Sequence, residues 1–69
     1  MSRLKIEIDR LFSGVAFRPI PNASGKGEYV AYEGELQHGG KIYKVGRTNR
    51  GKKYIEPLDL LALMNALGY

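Results

Sequence analysis

The chain has 69 residues, 11 Lys and Arg against 7 Asp and Glu for a net charge of +4, and no cysteine. That length holds one domain, residues 1–69, around one small core, and without cysteine neither a disulfide nor a thiolate metal site can staple it. No apolar run approaches the ~20 residues of a membrane-spanning helix, and the first residues lack the apolar stretch of a signal peptide, so a cytoplasmic protein with no membrane association is expected.

Residues 4–9, Leu-Lys-Ile-Glu-Ile-Asp, alternate apolar with charged, the pattern of a half-buried strand. The phase breaks at Leu11-Phe12, and Ser13-Gly14 supplies a turn. Residues 15–18 predict a short second strand, ended by Pro19 and Pro21, neither of which can donate to a ladder. Residues 22–27, Asn-Ala-Ser-Gly-Lys-Gly, have nothing apolar to bury beyond one alanine and read as a mobile loop.

Residues 28–37 and 41–47 flank Gly39-Gly40, which suits a two-residue hairpin turn. That register sets Leu36 opposite Tyr43, Gly34 opposite Val45 and Tyr32 opposite Arg47, with Val30 continuing the same side. On the other side, Glu35 faces Lys44, a favourable cross-strand pair. Thr48-Asn49-Arg50-Gly51 reads as a type I turn inside a three-residue bulged loop, which sets Val45 opposite Ile55 on a last short strand, residues 52–56. A helix then follows over residues 58–67, the one helix expected in the chain. Pro57 suits its first position, Asp59 the positive end of its dipole and Gly68 a left-handed C-cap. At about 100° per residue, Leu60, Leu61, Leu63, Met64 and Leu67 share a face, with Asp59, Ala62, Asn65 and Ala66 opposite.

The fold expected is α+β: a small antiparallel sheet of four or five strands, open or curled into a small barrel, with one C-terminal helix packed on it. The helix would cover Leu4, Ile6, Ile8, Val30, Tyr32, Leu36, Val45 and Ile55. Over residues 28–67 this order is similar in outline to the small DNA-binding domains at the N-termini of some phage integrases and to small basic barrel proteins that coat archaeal DNA. The likeness is one of layout without a shared motif, and layout does not transfer function.

Little in the chain points to catalysis. His38 is the single histidine and sits in a hairpin turn without the further ligands a metal would need. Ser13, Ser24 and Thr48 have no neighbouring base to activate them, and Gly25-Lys26-Gly27 is too short for a phosphate-binding loop. A protein without catalytic activity, cofactor or metal is expected.

Charge is more informative. Lys41, Lys44, Arg47, Arg50, Lys52 and Lys53 fall within 13 residues with no acid among them, leaving five basic residues against all seven acids elsewhere. With Tyr43 and Tyr54 beside them, these residues are the candidate site. A basic two-stranded ribbon fits a DNA groove or follows phosphates of DNA or RNA, and exposed tyrosines can stack on unpaired bases. The alternative is a protein-binding module, an inhibitor or adaptor, that sets the same hairpin on an acidic protein surface. Lysines at strand edges also guard against aggregation, and a merely solvated hairpin is the simpler reading of the same charges. Leu11, Phe12, Ile20, Leu58 and Tyr69 have no assigned place in the sheet. They either close the core or build an interface with a second copy or another partner.

Overall fold

The largest departure from the expected order comes first. In the computed structural model, which describes residues 3–69, the alternating stretch belongs to a helix, α1 (Arg3–Ser13). Period 2 over six residues concealed a longer match to period 3.6: Leu4, Ile8, Leu11, Phe12 and Val15 recur at helical spacing. Phe12 is buried and Ile8, Leu11 and Val15 pack against the core, while Ile6, which the strand reading buries, is 38% exposed. Arg3 and Glu7 pair across one turn at 3.5 Å, a contact a strand would forbid.

The sheet is a four-stranded antiparallel meander in the order β1 (Arg18–Pro19), β2 (Val30–His38), β3 (Lys41–Thr48), β4 (Lys53–Ile55). It is open, not a barrel. The expected strand over 15–18 shrinks to β1, where Arg18 pairs with Glu33 and Pro19 with Tyr32. The Ile20 N–H donates to the Ala31 carbonyl at 3.0 Å. Pairs alternate between bonded and non-bonded, so Pro19 occupies a non-bonded position and its missing N–H costs the ladder nothing.

The long hairpin has the expected register: Leu36 faces Tyr43, Gly34 faces Val45, Tyr32 faces Arg47 and Glu35 faces Lys44. Gly39 and Gly40 both have positive φ, 60° and 77°, as a type I′ turn requires. The register slips between Val30 and Tyr32, where Val30 faces Thr48. One extra residue reverses the side-chain alternation, so Val30 lies on the other face, against Gly46. The second turn is also as expected. The Gly51 N–H bonds the Thr48 carbonyl, the Thr48 N–H bonds the Lys52 carbonyl, Gly51 has φ 86°, and Val45 faces Ile55.

Both helices lie on one face of the sheet. The core is Phe12 of α1, Leu36 of β2, Tyr43 and Val45 of β3, and Leu63 of α2 (Pro57–Ala66). Pro57 starts α2 as expected. Its end is a Schellman motif: the Tyr69 N–H bonds the Met64 carbonyl, the Gly68 N–H bonds that of Asn65, and Gly68 has φ 92°. The buried face is turned slightly from the expected one. Leu63 is fully buried and Ala62 and Leu67 pack on the core, but Leu61 is 56% exposed and Leu58 82%. Among the residues without an assigned place, Leu11 and Phe12 join the core. Tyr32, expected in the core, is 42% exposed. Among the described residues, no helix is long and apolar enough to cross a membrane.

Candidate nucleic-acid interface

The six basic side chains of the 41–53 stretch do not form one patch. From Lys41 to Thr48 the strand advances roughly 23 Å, at ~3.3 Å per residue, so Lys41 stands beside the Gly39-Gly40 turn while Arg50 and Lys52 stand at the opposite end. Alternation then divides the rest between faces. Lys44 lies on the face without helices. Arg47 and Lys53, an opposed pair, share the helix side with Tyr43 and Val45.

Most of these cations are engaged within the chain. The Lys53 ammonium is 2.8 Å from the Asp9 carboxylate, an acid brought there by α1. The Arg47 guanidinium donates to the Gly51 carbonyl at 3.0 Å and lies 5.0 Å from the Phe17 ring centre, a cation–π contact. Lys44 faces Glu35, which also takes two hydrogen bonds from Arg18, at 3.0 and 2.7 Å. The Lys41 ammonium lies 5.1 Å from the Tyr43 ring centre. Tyr43 itself is 2% exposed. It belongs to the core and offers no face for a base, because its alternation partners Leu36 and Val45 point into the same layer. Tyr54 is 39% exposed but lies across the sheet from that layer, and its hydroxyl donates to Glu56 at 2.9 Å. That bond holds its proton and raises the phenol above its ordinary value.

The sequence gives no hint of what the end at residues 48–52 is built on. Asn49 joins it to the loop before β2: its Oδ1 accepts from the Tyr29 N–H at 3.0 Å, its Nδ2 donates to the Gly27 carbonyl at 3.2 Å, and its own N–H bonds the Tyr29 carbonyl at 2.9 Å. The Thr48 hydroxyl donates to Glu28 at 2.7 Å and accepts from the Arg50 and Lys52 N–H groups. The last residue of the expected mobile loop, Gly27, is thus docked. Lys26, outside the basic run, joins Arg50 and Lys52 at this end. Glu28 offsets part of their charge and sits 3.9 Å from the Lys52 ammonium. Neither Lys26 nor Arg50 takes part in an ion pair among the described residues.

The pair that fastens α1 to β4 has a measurable signature. The hydrogen bond from Lys53 holds the Asp9 carboxyl below its ordinary value, and that from Arg18 does the same to Glu35. A carboxylate depressed on folding stabilises the fold above its unfolded value, ~3.9 for Asp, and that contribution is lost as pH falls through the folded value. The melting temperature should therefore fall as pH drops below about 4. Asp9→Asn should remove part of that fall, and thermal unfolding followed by circular dichroism between about pH 6 and about pH 2 checks it.

Comparison with protein-family models, curated proteins and solved structures returns no match.

Proposed function

We propose that this chain is a small, non-catalytic cytoplasmic domain that binds DNA or RNA by its phosphates, through the end where the 48–52 turn is riveted to the 26–29 loop. The observation that carries this reading is Asn49, whose side chain bonds Tyr29 and Gly27. It holds two loops together, so that Lys26, Arg50 and Lys52 share one ordered end. Holding the backbones that carry these cations before contact lowers the entropy that binding would otherwise cost. Lys53 and Arg47 support this end from behind. Tyr29 there is half-buried and the Tyr54 hydroxyl is tied to Glu56, which favours contact with the backbone, independent of base sequence.

Three phosphate contacts predict a slope of about −2 to −3 for log affinity against log salt on duplex DNA, at ~0.9 per contact. Arg50→Ala should flatten the slope by roughly one unit and weaken all sequences alike, with the circular dichroism spectrum unchanged. A filter-binding titration on duplex DNA, single-stranded DNA and RNA over a series of salt concentrations tests this. No binding at about 100 μM protein near physiological salt would sink the reading. One observation favours a protein partner instead: Leu58 and Leu61, one helical turn apart on α2, are both largely exposed. That alternative predicts no salt-dependent DNA affinity at all.

A further inference from the structure

β1 pairs with β2 only at Glu33 and Tyr32, yet β2 runs on to His38. Since the Ala31 carbonyl faces β1, alternation turns the backbone groups of Glu33, Glu35 and Gln37 to that side and those of Tyr32, Gly34, Leu36 and His38 toward β3. Arg18 occupies the place beside Glu33. Glu35 and Gln37 each direct an N–H and a carbonyl out of the sheet, with no backbone partner among the described residues. A groove of about 560 Å³ runs alongside them, lined by Leu11, Val15 and Ala16 and by Arg10 and Arg18, the Arg18 guanidinium being held on the Glu35 carboxylate. Leu11 and Val15 are half-buried and Arg10 is exposed, and Arg10 is in no ion pair among the described residues. The other edge is guarded differently. β4 is three residues long, begins at Lys53 and stops two residues before Pro57, a common defence against strand addition. The β2 edge has neither a lysine nor a proline at Glu35 or Gln37, and its one charge there, Glu35, is neutralised by Arg18.

From this juxtaposition we infer that the edge of β2 at Glu35 and Gln37 takes an extended, apolar-acidic peptide of another protein as an additional strand. Its backbone completes the ladder, as in other cases of strand addition. A residue set opposite Leu36 faces the helix side, as Leu36 does, and seats on Leu11 and Val15, so it is apolar. A carboxylate on the same side of the peptide, two residues away, comes within reach of the Arg10 guanidinium. Residues opposite Glu35 and Gln37 face solvent and are polar. A lone peptide fits better than a second copy of this chain, because the copy would bring its own α1 and 14–16 wall into the same space. This edge lies at Glu35 and Gln37, not at the 48–52 turn, so the inference stands apart from the nucleic-acid reading.

The test uses the whole ¹⁵N-labelled chain and the peptide acetyl-Thr-Val-Thr-Asp-Thr-amide. At about 1 mM peptide, the Glu35 and Gln37 amides should shift and their exchange with solvent should slow, with those of 48–52 unmoved. Gln37→Pro removes one outward donor that no internal bond uses and should weaken binding roughly three- to tenfold. Arg10→Glu should weaken it comparably and Arg10→Lys should not. Methylating the peptide's threonine amides should abolish binding to the unaltered protein, which keeps the test intact even if Gln37→Pro disturbs the fold. Absence of shifts at that concentration, shifts centred on α2 or on the 48–52 turn, or equal binding of the methylated peptide would overturn the inference.

Discussion

Leu63→Asp should leave the chain unfolded, while Leu61→Asp, two residues away, should be nearly silent. Leu63 has no exposed surface and touches the centre of the core, whereas Leu61 is 56% exposed. Replacing Leu63 with alanine would itself cost about 2–5 kcal/mol, the lost transfer energy plus the cavity. A carboxylate there adds an unpaired buried charge. A domain of this size has only on the order of 5 kcal/mol to lose. At Leu61 the carboxylate stays in water, and the change should fall within about 0.5 kcal/mol. Thermal or urea unfolding of the two variants decides the matter, and equal losses at both positions would mean that the helix is rotated from the phase described.

The second large effect concerns a glycine. A Cβ added to Gly46 would lie 2.8 Å from the Tyr32 carbonyl oxygen and 2.9 Å from Val30 Cγ1. The carbonyl belongs to the β2–β3 ladder and cannot retreat without breaking it, so Gly46→Ala should cost about 1–3 kcal/mol, the range for overpacking. Gly34 makes a similar approach on the other face, where the nearest obstacle is a side chain, Val15 Cγ1 at 2.6 Å, with the Ala16 carbonyl oxygen behind it at 3.1 Å. Val15→Ala should therefore recover part of the loss in Gly34→Ala. Gly25→Ala, whose nearest neighbour is at 3.6 Å, is the control that should melt near the wild type.

Part of this architecture is legible in the residues alone. Both hairpins follow from local chemistry: glycines that accept positive φ, a pair in the first turn and Gly51 in the second, and an alternation that sorts Leu36, Tyr43 and Val45 to one side. The helix at the C-terminus announces itself through Pro57 and Gly68. What fails is any feature decided by competition or distance. At residues 4–9 two periods coexist, and the helix wins because Leu11 and Phe12 extend its stripe beyond the six alternating residues. Ala31 inserts a register slip that no residue type announces, and it moves Val30 to the opposite face. The basic stretch was legible as charge, but not as place. Asp9, Glu28 and Glu35, remote in sequence from the cations they meet, decide which of them remain available. Lys26 joins the site only because Asn49 holds its loop.

The most direct test of the cationic end is an amide-resolved titration of the ¹⁵N-labelled chain with a short DNA duplex at low salt. The account predicts shifts concentrated on residues 26–29 and 50–52, fading together as salt is raised and sharply reduced in Arg50→Ala. Shifts centred on Leu58 and Leu61, or none at about 100 μM duplex, would contradict it.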